Sequence, residues 1–95
     1  MQLEIITPEA KIFSGDVDAV QFPGLDGSFQ VLDNHAAIIS ALVKGVVKAN
    51  LTAAFDSPEK NDLVQVDAKD SKVIRVDIKG GVMEMLNNKV IVLAE

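Results

Sequence analysis

Asp33 and His35 have the residue types and the two-residue spacing for acid–base chemistry, a carboxylate that could orient an imidazole acting as base. A working constellation also needs a nucleophile, a metal or a set of oxyanion donors, and the neighbouring sequence offers none of them. The chain has no cysteine, so neither a thiolate nucleophile nor a thiolate metal site can form, and a disulfide framework is excluded. A plainer reading makes Asp33-Asn34 a turn, with the His35 imidazole hydrogen-bonded to backbone. A third has this segment touching a partner. Gly80-Gly81 lacks the spaced glycine and the lysine of a phosphate loop and reads as a backbone kink.

Met83-Glu84-Met85 resembles the lysine site of lipoyl and biotinyl carrier domains, small β-sandwiches that present a lysine between methionines. Here the central residue is Glu84, which cannot be acylated as an amine is. That leaves a strand over Val82 to Leu86 with one packed face and Glu84 directed to solvent.

These residues must be positioned by strands. Gln2 to Thr7 places Leu3 and Ile5 on one face and is stopped by Pro8. Lys11 to Gly15 is a second extended piece. From Asp16 to Phe22 the apolar parity changes between Val17/Ala19 and Val20/Phe22, which predicts a bulge or a strand covered on both sides. Pro23-Gly24-Leu25-Asp26-Gly27 is a turn by composition, with Leu25 at its tip, and Phe29 and Val31 follow as a buried strand. Ala36 to Val43 is too short for periodicity to separate a helical turn from an irregular covering segment. Strands are then expected over Val46 to Phe55, Leu63 to Ala68 and Val73 to Lys79, joined by the polar connections Asp56 to Asp62 and Lys69 to Lys72. Val82 to Leu86 pairs through Asn87-Asn88 with Val90 to Ala94, since asparagine tolerates the left-handed backbone that such a hairpin needs. Seven or more closely spaced strands imply two packed sheets or a barrel.

Composition points the same way. Of 95 residues 48% are hydrophobic and only 4% aromatic, so the core is built of small and β-branched side chains suited to pleated sheets. A chain this size buries only about 60–65% of the surface its unfolded form exposes, so that core must be efficient. A net charge of −5 argues against nucleic acid, whose phosphates need clustered Lys and Arg. Met1 to Pro8 shows no secretory signal, and no run approaches the ~20 apolar residues that span a bilayer, so membrane association is expected only through a partner.

Three segments together resemble a known family: Leu3 to Pro8 with Ile12 to Val17; the pattern Gly27-x-Phe29-x-Val31-Leu32-x-x-His35-Ala36-x-x-Ile39-x-x-Leu42-x-x-Gly45; and Gly80-Gly81-Val82 through Asn88 to Glu95. In order and spacing they are similar to the N-terminal domain of the F-type ATP synthase epsilon subunit, called delta in mitochondria. The resemblance implies one unit over residues 1–95, an all-β sandwich of two antiparallel sheets with about eight to ten short strands. It implies a non-catalytic rotor subunit of the central stalk, without a cofactor, that joins the gamma subunit to the c ring and couples proton flow to ATP synthesis. It places Leu25, Asp26, Gly27 and Ser28 at the c ring and Asp33, Asn34 and His35 at gamma. The location it implies is peripheral, on the cytoplasmic face of a bacterial inner membrane. A hydrolase using Asp33 and His35, or a degenerate lipoyl-like or biotinyl-like carrier, is the alternative.

The chain departs from the family in three places. Asp33, Asn34 and Ala37 stand where prolines usually flank the histidine. Residues 46–79 exceed the usual length between Gly45 and Gly80, which predicts one inserted hairpin. The sequence stops at Leu93-Ala94-Glu95, where most relatives continue into a C-terminal helical hairpin, and without it neither ATP binding nor inhibition of hydrolysis is expected.

Overall fold

The computed structural model describes residues 1–55 and 63–95, and the regular structure within them is nine strands. These are β1 (Gln2–Ile6), β2 (Lys11–Gly24), β3 (Gly27–Leu32), β4 (Ile38–Leu42), β5 (Gly45–Leu51), β6 (Gln65–Val66), β7 (Val73–Ile78), β8 (Gly81–Leu86) and β9 (Lys89–Ala94). The fold is all-β, as the β-branched composition requires. The two extended pieces expected over Lys11 to Phe22 are one strand, β2, of 14 residues.

β2 organises the architecture because it belongs to two layers. Its first half pairs with β1, from Gln2 opposite Asp16 to Ile6 opposite Lys11. Its second half pairs with β3 on one side and β5 on the other. Between them the β2–β5 register slips at Val17/Ala19, the bulge that the parity change predicted. A bulge bends and twists a strand, which is how one strand passes from one packed sheet to another. One layer is then β4-β8-β9-β1 with the start of β2, and the other is β3, the end of β2, β5, β7 and β6. Every ladder is antiparallel except β1–β9, where Gln2 to Ile6 run beside Lys89 to Leu93 in parallel. No hairpin joins those two strands, so nothing local dictates their direction.

Alternating side chains from both layers meet between them. Leu3, Ile5, Met83, Met85, Val90 and Val92 come from one side and Val20, Phe22, Val31, Val47, Ile74 and Val76 from the other, all fully buried. No polar or charged side chain is buried among the described residues. The Phe22 and Phe29 rings lie 5.4 Å apart, a favourable tilted pair.

Two turns follow their sequence. Asn87 and Asn88 both have positive φ, 51° and 59°, the backbone of a two-residue hairpin loop matched to strand twist. The Gly80-Gly81 kink has φ of 142° and 146°, and a Cβ on Gly81 would collide with the Leu93 carbonyl oxygen. Gly81→Ala is therefore expected to cost about 1–3 kcal/mol, read as a lower midpoint in urea unfolding.

Two expectations need correction. Ala36 to Val43 is neither a helical turn nor irregular: Ile38–Leu42 is strand β4, with all five residues paired to Met85 through Gly81. The open edge of β8 supplies hydrogen-bond partners that an eight-residue window cannot reveal. The segment Leu63 to Ala68 contributes only the two-residue β6, paired with Ile74 and Arg75. Val64 is buried but Val66 and Ala68 are exposed, so the anticipated shared face does not form. The β6–β7 connection is shaped instead by Asp67, which accepts from the Lys69 and Asp70 amides and from Arg75 Nη1 at 2.8 Å. The expected connection Asp56 to Asp62 lies outside the described residues.

Candidate functional site

β3 ends at Leu32, and Asn34, with φ of 65°, turns the chain so that the His35 amide donates to the Leu32 carbonyl at 3.1 Å. Asp33 does not orient His35. Its Oδ1 accepts from the Met1 amine at 2.7 Å and from Asn88 Nδ2 at 3.1 Å, while the Asn34 amide donates to Asn88 Oδ1 at 2.8 Å. The exposed His35 ring places Nδ1 2.7 Å from the carbonyl oxygen of its own neighbour Ala36. The hydrolase reading fails on this geometry, because the carboxylate is committed to an amine and an amide. The turn is a clasp between β1, β3 and the β8–β9 loop.

The amine first, then Asn88, lowers the Asp33 pKa, and Arg75 with the Lys69 amide lowers that of Asp67. A carboxylate with a depressed folded pKa stabilises above its unfolded pKa, and that stability is lost as pH falls through the folded value. Acidification below pH 4 is thus expected to loosen both clasps. Asp33→Ala should flatten the acid limb of a stability–pH curve, measurable by thermal unfolding at several pH values.

The other predicted site residues lie at the opposite end of β3. Gly24 pairs with Gly27 across a two-residue tip, and Gly27 supplies the positive φ of 117° that closes it. Leu25 at the tip is 70% exposed, with Asp26 and Ser28 exposed beside it. The Val43 amide donates to the Pro23 carbonyl at 2.9 Å, bringing the β4–β5 turn to the same end. The six residues of β3 separate this tip from the Asp33-Asn34-His35 turn by about 17 Å at ~3.3 Å per residue. Leu25 to Ser28 form one group and Asp33 to His35 another, and the fold does not bring them together.

Between the two ends, the layer β4-β8-β9-β1 turns a second apolar surface outward. Its registry sets Ala41, Val82, Leu93 and Ile6 in one cross-strand row and Ile39, Glu84, Ile91 and Glu4 in the next. Ile39 is 71% exposed, Leu93 57%, Leu86 52% and Val82 44%. A groove of about 430 Å³ runs along Ala37, Ile38, Ile39, Glu84, Met85 and Leu86. On this face Glu4 pairs with Lys89 at 3.5 Å. Among the described residues no group of His, Cys, Asp or Glu could hold a metal ion.

Residues 1–58 match the family described as ATP synthase, Delta/Epsilon chain, beta-sandwich domain. The epsilon chain of Chlorobium limicola is 36% identical to this chain over 94 residues, covering 99% of this chain and 88% of that one. The chain belongs to the ATP synthase delta/epsilon family. Its relatives differ in length: the epsilon chain of Chlorobaculum tepidum is 38% identical with 86% of it covered, and that of Pelotomaculum thermopropionicum 38% identical with 56% covered. In the central stalk and c ring of the Tetrahymena thermophila mitochondrial ATP synthase, one chain superposes with a TM-score of 0.71 at 14% identity, over 99% of this chain and 62% of that one. At that identity the likeness is one of fold.

The outward apolar face is the candidate surface that residue motifs missed, although its signal was present. Val90-Ile91-Val92-Leu93-Ala94 is apolar in both strand phases, and Val82-Met83-Glu84-Met85-Leu86 is so apart from Glu84. A strand with one solvated face alternates, and one that is apolar on both faces is built to be covered twice. Here the inner phase is covered by the opposite layer and the outer phase lies open.

Proposed function

We propose that this chain is a non-catalytic central-stalk subunit of a proton-translocating F-type ATP synthase, joining the gamma subunit to the c ring. The observation that carries the proposal is the open apolar face of β4, β8, β9 and β1 on a sandwich of this family. Exposed apolar surface of this breadth on a small domain marks a protein interface. Gamma occupies that face, and His35, two residues before the Ala37 edge of the groove, extends the same contact. Asp33 and Asn34 hold the turn that presents it. The tip Leu25, Asp26, Gly27 and Ser28, at the far end of β3, meets the c ring, with Leu25 as its apolar anchor.

The strand order suits a mechanical role. β2 bonds into both layers, so load applied at the β2–β3 tip passes along continuous ladders to the face that gamma occupies. Residues 1–95 act as one unit in this reading, because β1 and β9 pair directly. None of the described residues forms a helix long and apolar enough to cross a membrane. Attachment runs through the complex, at the cytoplasmic face of a bacterial inner membrane.

Cysteines at Ser28 and His35 test the placement. In the assembled enzyme Ser28→Cys is expected to crosslink to a c subunit and His35→Cys to gamma. Free reaction of both with a bulky thiol reagent in that enzyme contradicts it.

A further inference from the structure

The apolar face has one charge at its centre that nothing among the described residues neutralises. Glu84 lies on β8 between Ile39 of β4 and Ile91 of β9, its direct cross-strand neighbours. Glu4, in the same row, is paired with Lys89, whereas the Glu84 carboxylate forms no ion pair or hydrogen bond among the described residues. In the free chain water solvates it. Once a partner covers the face that water leaves, and an unpaired carboxylate in an apolar contact is heavily penalised unless a donor replaces it.

The groove beside Glu84 has the shape for such a donor. Ile39 and Leu86 wall it with hydrocarbon, Ala37 leaves one side low, and the Glu84 carboxylate stands along it. A lysine or arginine lays its aliphatic stem on apolar surface and keeps its charged head for an acid. We infer that this groove receives one lysine or arginine side chain of the gamma subunit, with the cationic head paired to Glu84 and the stem against Ile39 and Leu86. This rests on gamma being the occupant of the face and adds the chemistry by which gamma is recognised. The apolar rows supply contact area and the buried charge pair fixes register, because a shift of one residue would leave both charges unpaired.

The test is rebinding of the full chain to ATP synthase stripped of its own epsilon subunit, comparing wild type, Glu84→Gln, Glu84→Lys and Ile39→Ala at low and high salt. The Glu84 carboxylate has no partner among the described residues, so Glu84→Gln is expected to fold with unchanged circular dichroism and melting. Its binding is expected to weaken roughly ten- to hundred-fold, mostly through faster dissociation, with a flatter salt dependence. Glu84→Lys should weaken it further and be restored by reversing one basic residue of gamma to Glu. Wild-type-like binding by Glu84→Gln while Ile39→Ala binds weakly overturns the charge pair and leaves the docking face standing. Wild-type-like binding by every variant, or no binding by the wild type, removes the docking face and the charge pair with it.

Discussion

Ile39→Asp combined with Leu93→Asp is expected to abolish association with the gamma subunit while leaving the sandwich folded. Both side chains point out of the β4-β8-β9-β1 layer, so neither change opens a cavity, and outward substitutions of this kind usually alter stability by no more than about 0.5 kcal/mol. At the interface the effect is of another order. Each substitution removes an apolar contact and places a carboxylate where water is excluded, beside a face that already carries Glu84 and Glu4. Central apolar anchors are worth about 2–4 kcal/mol each, roughly thirty- to thousand-fold in Kd, and two on one face compound. Calorimetric titration with gamma, together with circular dichroism of the variant, separates lost binding from lost fold. Retained binding by the folded double variant would place gamma elsewhere.

Phe22→Ala is expected to have the largest effect on stability. Phe22 is fully buried on β2, opposite Phe29 of β3 and one residue beyond the stretch that pairs with β5, with its ring against Phe29. Truncating a buried phenylalanine costs about 3–5 kcal/mol, a large part of the ~5–15 kcal/mol that holds a domain together. For a domain of this size the melting temperature should fall by roughly 15–30 °C. Leu25→Ala, at the exposed tip, should leave melting almost unchanged. Similar melting of the two variants would contradict the assignment of β2 as the strand that joins the layers.

Where local rules decide the structure, the sequence was readable. The Asn87-Asn88 loop, the alternation of Ile74, Val76 and Ile78, and the parity change in β2 each state a backbone requirement within a few residues, and each appears where expected. What was not readable depends on remote partners. β4 is a strand because β8 offers it an edge, and β1 runs parallel to β9, a strand more than 80 residues away with no hairpin between them. Asp33 is held by Met1 and Asn88, which lie 32 and 55 residues away, so its spacing from His35 said nothing about its role. The open apolar face was legible in principle, as largely apolar residues in both phases of β8 and β9. It was obscured because the same residues serve equally well as evidence for a core.

The central claim, that gamma covers the outer face of β4, β8, β9 and β1, is tested most directly by the accessibility of a cysteine at Ile39. The maleimide labelling rate would be compared between the free chain and the assembled ATP synthase. The free chain should label rapidly, because Ile39 lies open, and the assembled enzyme should protect the thiol almost completely, with a control cysteine at the exposed Asp77 of β7 labelling in both. Equal labelling of the Ile39 position in the free and assembled states would contradict the account.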